Sequence, residues 1–176
     1  TIQVNTYFYS INGIDFVNSS TGWLTGVGNN AINQIVKTTN GGANWFAICS
    51  NLMFVPGQIL MINLNKGFVI PALWETVGDT VAFTSDGGYS WIYKKIANGQ
   101  PINKLFFIDS NKGWALSTSA CISRTTDGGI NWIALGNSIG NTANMFFTDS
   151  SNGWITEMNQ TRSIWKTINS GITWIR

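Results

Sequence analysis

Fourfold self-similarity constrains this chain more than any other feature. One eight-residue signature reads Thr38-Thr-Asn-Gly-Gly-Ala-Asn-Trp45 and returns as Thr84-Ser-Asp-Gly-Gly-Tyr-Ser-Trp91, Thr125-Thr-Asp-Gly-Gly-Ile-Asn-Trp132 and Thr167-Ile-Asn-Ser-Gly-Ile-Thr-Trp174. The closing tryptophans recur at intervals of 46, 41 and 42 residues. A second signature precedes each: Phe16-Val-Asn-Ser-Ser-Thr-Gly-Trp23, Phe106-Phe-Ile-Asp-Ser-Asn-Lys-Gly-Trp114 and Phe146-Phe-Thr-Asp-Ser-Ser-Asn-Gly-Trp154, with a shortened form, Ile62-Asn-Leu-Asn-Lys-Gly-Phe68, in the second repeat. Two independent motifs in one order, four times over, mark a repeat architecture in which each unit buries its apolar face only against a neighbour.

Within a repeat, short apolar, β-branched and aromatic runs flank clusters of Gly, Asn, Asp and Ser, the pattern of strands joined by tight turns. In the first signature an Asp or Asn side chain is expected to accept from amides two or three residues on, while Gly supplies positive φ. The following Trp is expected to lie across the repeat as an apolar plug, worth roughly 3–5 kcal/mol if fully buried. Each repeat therefore reads as four strands, in the third at 103–108, 113–117, 121–125 and 132–135. No stretch has sustained helical periodicity. Four-stranded units of this length have the blade period of a β-propeller.

The whole chain, 1–176, is thus expected to be one all-β propeller domain of antiparallel blades. Its repeats run at about 11–49, 58–96, 102–135 and 142–176, and residues 1–10 are left over. The fourth repeat stops two residues after its Trp, so its outermost strand is nearly missing. The segment 2–9 has strand composition and sits where that strand would sit. The expectation is that it completes the fourth sheet and closes a four-bladed ring, since a circular array must not leave an edge. The rival is a fragment, or half of a ring formed by two chains.

Composition sharpens this reading. Charged residues are only 10% of the chain and aromatics 13%, with nine Trp, the opposite of a disordered composition. A surface of neutral Asn, Ser, Thr and Gly points to a secreted or cell-surface setting. Net charge is +2 with Lys and Arg scattered singly, which leaves no basic stripe for nucleic acid. No apolar run is long enough to insert in a membrane. The absence of His removes the commonest general base and metal ligand. Cys49 and Cys121 follow no metal-ligand spacing and read as two unpaired, buried thiols. No metal or cofactor is expected.

The first signature resembles the Asp-box, or bacterial neuraminidase repeat. The fuller unit is similar to repeats of the photosystem II assembly-factor-like propellers, over essentially all of residues 11–174. The resemblance implies a turn role for Asn40, Asp86, Asp127 and Asn169, and for Trp45, Trp91, Trp132 and Trp174, on a blade edge away from the usual ligand face. It also raises a sialidase-like reading, which needs three clamping arginines, a Tyr with its Glu partner and an acid/base Asp. Only Arg124, Arg162 and Arg176 exist, two of them ahead of boxes and one terminal. Of the eight acidic residues, Asp86 and Asp127 belong to boxes and Asp109 and Asp149 to the first hairpin turns. Glu75 and Asp79 share the loop 73–79 with Trp74, the one place where an aromatic and two carboxylates meet outside a motif, and they read as solvated loop charge. No catalytic residue is assigned.

What remains is binding. The loops between second and third strands and between blades should share one face, at 28–33, 51–57, 73–79, 97–101 and 158–161. There Trp74, Phe54, Asn29, Asn30 and Gln160, with Glu75 and Asp79, would offer flat stacking and amide hydrogen bonds. Phe54 could equally be core. The expected role is a non-catalytic protein-interaction or self-assembly module, and the alternative is a carbohydrate-binding, lectin-like propeller.

Overall fold

A computed structural model describes residues 8–50, 52–96, 99–119, 121–136, 139–140, 142–157 and 163–176. Every described element is a strand, and each sheet is an antiparallel meander in chain order. The first sheet is β1 (Phe8–Phe16), β2 (Gly22–Gly28), β3 (Asn33–Thr38) and β4 (Phe46–Ser50). The second is β5 (Pro56–Met61), β6 (Gly67–Pro71), β7 (Thr80–Thr84) and β8 (Ile92–Lys95), and the third is β9 (Ile102–Phe107), β10 (Gly113–Ser117), β11 (Ile122–Thr125) and β12 (Ile133–Ala134). The fourth has three strands, β13 (Thr142–Phe147), β14 (Gly153–Glu157) and β15 (Ile164–Thr167), with a single bridge from Lys166 to Ile175 in place of an outer strand. The third-sheet strands fall within one residue of the positions expected from turn chemistry. No helix among the described residues is long and apolar enough to cross a membrane.

Two compact units divide the chain, one of residues 1–77 and 81–94 with the first two sheets, the other of 78–80 and 95–176 with the last two. Residues 8 and 9 correct the expected closing strand. They begin β1, where Phe8 pairs with Gly28, because β2 is long enough to offer partners that far back. The remainder of that strand, 1–7, lies outside the described residues.

The two signatures build two opposite faces on every sheet. In the hairpin signature the Gly before the Trp lets a first-strand side chain lie flat on the second strand. Gly22 faces Phe16, Gly113 faces Phe107 and Gly153 faces Phe147. A Cβ added at Gly113 would stand 2.6 Å from the Phe107 ring, so the position requires Gly. The box Trp then meets that ring edge-on: Trp45 on Phe16 at 5.9 Å, Trp132 on Phe107 at 5.9 Å and Trp174 on Phe147 at 6.0 Å between centroids. In the second sheet Met61 takes the ring's place over Gly67.

The other face carries the hairpin Trp, opposite a cation on the third strand: Trp23 pairs with Lys37, Trp114 with Arg124 and Trp154 with Lys166. The second sheet replaces both partners with phenylalanines, Phe68 and Phe83, 5.1 Å apart.

Within each unit, the Trp face of one sheet packs on the ring face of the next. In the first unit Trp23 and Ile35 pack with Ile59, Met61, Val69 and Ala82. In the second, Trp114, Leu116 and Ile122 pack with Met145, Phe147 and Ile155. Trp114 stacks on Phe147 with centroids 3.7 Å apart and planes within 8°. Both seams close with the same long-range bond, the indole donating to the box turn of the next sheet. Trp23 Nε1 donates to the Gly87 carbonyl at 2.9 Å, and Trp114 Nε1 to the equivalent Ser170 carbonyl at 2.9 Å. The first seam also has polar ties: Asn12 Nδ2 donates to the Pro56 carbonyl, Thr25 Oγ1 to the Gly57 carbonyl, and the Met61 amide to Asp15.

This arrangement corrects the expectation for the box Trp. The fully buried indoles are Trp23 and Trp114, whereas Trp45, Trp91, Trp132 and Trp174 are half-buried. A box Trp sits at the outer strand, where only the ring beneath it and its own turn can cover it. The thiols are corrected as well. Cys49 and Cys121 are free, but half-buried rather than buried. Burial, followed by the Asp86 charge, raises the Cys49 thiol above its ordinary value.

Candidate binding surface

The turns at one end of each sheet are given over to holding their own shape. In every box the threonine hydroxyl accepts from the second Gly amide (Gly42, Gly88, Gly129 and Gly171, each at 2.9 Å) and donates to the Asp or Asn. That side chain accepts from the amide four residues on, at Asn44, Ser90, Asn131 and Thr173. The reach is longer than the expected two or three residues because two left-handed residues intervene, Gly41 and Gly42 in the first box and Ser170 and Gly171 in the last. The two-and-three pattern belongs to the hairpin turn, where Asn18, Asn63, Asp109 and Asp149 each accept from both amides. The box then docks on that hairpin, the amides of Gly41, Gly87, Gly128 and Ser170 donating to the carbonyls of Ser20, Asn65, Asn111 and Ser151.

These bonds govern the carboxylates. For Asp86, burial pushes upward but is outweighed by donors from Ser90, Thr84 and Tyr89, which bring it to about 2. Asp127 also lies at about 2, held chiefly by the Asn131 amide. Asp109 and Asp149 are lowered by their hairpin amides. Asp15 is raised because burial exceeds the help of the Met61 and Phe16 amides. Glu157 accepts from Trp165 Nε1 at 3.2 Å. With Glu75 and Asp79, described next, all eight carboxylates of the chain accept from its own donors. Among the described residues no three potential metal ligands converge.

The opposite end of the sheets differs. In the first unit, the connector after β4 alternates: Leu52 is buried, Met53 exposed and Phe54 buried. Phe54, at 2% exposure, is thus a core residue and not a contact residue, drawn inward against Tyr93. The connector is pinned from four sides. Asn33 Nδ2 donates to the Leu52 carbonyl, the Met53 amide to Tyr93 Oη, the Val55 amide to Glu75 Oε1 at 2.8 Å, and the Ala72 amide to the Val55 carbonyl. The loop after β6 is held by the last two of these bonds and by its own turn, Glu75 N to the Ala72 carbonyl. Its apex carries Leu73 and Trp74, the latter 71% exposed.

The expected site is therefore partly assembled. Trp74 is exposed as expected, and Asn29 and Asn30 are exposed on the β2–β3 turn. Glu75 and Asp79 are not solvated loop charge. Glu75 clamps two loops, and the buried Asp79 carboxylate accepts from Gly99 in the second unit, where its carbonyl also accepts from Ile96. Gln160 lies outside the described residues. Sequence reasoning missed Met53 and Leu73, because Leu52-Met53-Phe54 reads as one apolar run until the backbone alternates.

No protein-family model and no curated protein sequence matches the chain. Solved structures do. YCF48 bound to D1 peptide superposes over 96% of this chain and 54% of its own, at 20% identity and a TM-score of 0.69. YCF48 from Cyanidioschyzon merolae covers 99% of this chain and 57% of its own, at 16% identity and a TM-score of 0.70. The fold is a β-propeller fold. The same blades recur in the GH74 enzyme of Niastella koreensis, which matches 94% of this chain but only 24% of its own, at 19% identity and a TM-score of 0.69. This chain spans little more than half the length of the YCF48 chains. The sheets of this chain are antiparallel meanders following one another along the sequence.

Proposed function

We propose that this chain is a non-catalytic propeller module that holds a peptide segment of a partner protein on the loop end of its first unit, in a secreted or cell-surface setting. The observation that carries the reading is the pinned pair of loops presenting Met53, Leu73 and Trp74. Three exposed apolar side chains stand on backbone already fixed by Glu75, Asn33 and Tyr93, so binding orders little. Aromatic and Met anchors on a rigid frame suit an apolar peptide side chain flanked by main-chain donors and acceptors. YCF48, a fold relative, is seen with a peptide. The engagement of every carboxylate with the chain's own donors favours binding over hydrolysis, and the neutral polar composition favours an extracytoplasmic setting.

Selection of a displayed random-peptide library on the immobilised chain, followed by calorimetry of the enriched peptides, tests this. Trp74→Ala is expected to weaken binding at least tenfold, which is about 1.4 kcal/mol. Peptides that bind Trp74→Ala unchanged would sink the site. A glycan array with hits lost in Trp74→Ala would put carbohydrate in the peptide's place, and release of sugar from xyloglucan or aryl glycosides would end the non-catalytic reading.

A further inference from the structure

The two buried seams differ in how they treat one cation. Each has a basic residue on its third strand, directly opposite the sealed hairpin Trp, and in each the box of the next sheet accepts that indole. In the first unit the cation is Lys37 and the box is 84–91. In the second the cation is Arg124 and the box is 167–174.

Lys37 is provided for from within the chain. It is only 9% exposed, with Nζ 4.9 Å from the centre of the Trp23 ring and 5.1 Å from that of Tyr89. Nζ also reaches the Gly87 carbonyl, at 3.5 Å. Burial pushes the Lys37 ammonium below its ordinary pKa, and the charge of Asp86, the acidic residue of the facing box, pushes it back up. Two ring faces, a carbonyl and a carboxylate's field thus meet one ammonium.

Arg124 has none of these. Where the first seam has Asp86, the facing box has the neutral Asn169, and where it has Tyr89 there is Ile172, 52% exposed. The Ser170 carbonyl, equivalent to that of Gly87, accepts from Trp114. Asp127, in the box that follows Arg124, is taken up by Thr125 and Asn131. Arg124 Nε is buried without an acceptor, and among the described residues no carboxylate, carbonyl or ring meets the guanidinium. Ile133, directly opposite Arg124 on β12, is 60% exposed. A lysine in this position could shed its charge, but a guanidinium stays protonated, so the half-buried Arg124 keeps a charge that the chain leaves unanswered.

We infer that Arg124 anchors an anion site that takes a carboxylate carried on an aliphatic group, with Ile133 and Ile172 against the adjoining hydrocarbon. The ligand brings to Arg124 the negative charge that Asp86 brings to Lys37. The planar fork of a guanidinium matches the two oxygens of a carboxylate. Burial of Nε holds the stem, so the terminal N–H groups are presented in one orientation. The flanking isoleucines favour a carboxylate with hydrocarbon beside it over a hydrated inorganic anion. An acidic side chain among aliphatic residues and the end of a peptide share this chemistry.

Titration of the isotope-labelled chain, followed by NMR at the Arg124 side chain, the Trp114 indole and the Ile133 amide, reads the site. The probes are N-acetylisoleucine, its neutral amide, a capped peptide with one aspartate between two isoleucines, and sulfate. Saturable shifts are expected with at least one of the two carboxylate probes, and whichever binds tells a chain end from an acidic side chain. The amide should give none, and sulfate should bind more weakly. Arg124→Gln should weaken binding about tenfold or more. Asn169→Asp gives the chain its own counter-charge for Arg124 in a turn that Asp86 and Asp127 already hold with the same bonds, so binding should weaken there too, by about threefold or more. Should Arg124→Gln fail to fold, Asn169→Asp decides alone. No saturable shift with either carboxylate, equal binding of the amide or of sulfate, or binding unmoved by Asn169→Asp would overturn the inference.

Discussion

The seam between sheets and the turn edge of each sheet both carry tryptophan, and they use it differently. At the seam of the second unit Trp114 is sealed, stacked on Phe147 and bonded to the Ser170 carbonyl of the next sheet. At the edge Trp174 touches the same Phe147, but side-on, half-buried, its N–H donated to Gly171 in its own turn. One ring thus has an indole on its face and another at its rim, and only the first joins two sheets. Motif strength in the sequence and energetic weight in the fold are separate properties.

Removing the two indoles in turn gives the largest test. Trp114→Ala is expected to cost roughly 3–5 kcal/mol by denaturant titration, since it empties a packed seam. Trp174→Ala, which loses a half-covered surface, is expected to cost about half as much. Equal costs would break the distinction between seam and edge. Trp114→Phe sharpens it by keeping a ring on Phe147 while orphaning the Ser170 carbonyl. The expected loss is about 1–3 kcal/mol, and a loss near zero would show that stacking alone holds the seam.

The smallest effect belongs to the edge and depends on pH. Asp86 and Asp127 titrate at about 2 in the folded chain, against about 3.9 for an unfolded Asp. Their folded values are depressed, so their stabilisation is complete above about pH 4 and is lost as pH falls toward 2. Both groups are largely exposed, so solvent screening keeps the effect modest. The double change Asp86→Asn and Asp127→Asn should flatten that part of the acid profile and leave neutral stability almost unchanged, because Asn40 and Asn169 already hold the same turn with the same acceptor. An acid midpoint that does not move would show that the boxes contribute nothing titratable.

Much of this was legible in the residues. Strand positions, the box and hairpin turns and the exposure of Trp74 follow from local chemistry, because a Gly, Asp or Thr in a tight turn has few partners other than its own backbone. The side-chain roles at the loop end were not. Glu75 read as a solvated charge until Val55, twenty residues away, turned its amide toward it. Phe54 and Met53 exchange places between core and surface by a half-turn of backbone that no composition records.

The sequence by itself determined that the chain repeats, that its units are sheets and which residues shape their turns, since those interactions lie within a few positions of one another. Only the tertiary structure decided which indoles are buried and which carboxylates clamp loops. Each of those depends on a partner 20 to 64 residues distant, as for Glu75 with Val55 and Trp23 with Gly87, and spacing along a chain does not encode distance across a seam.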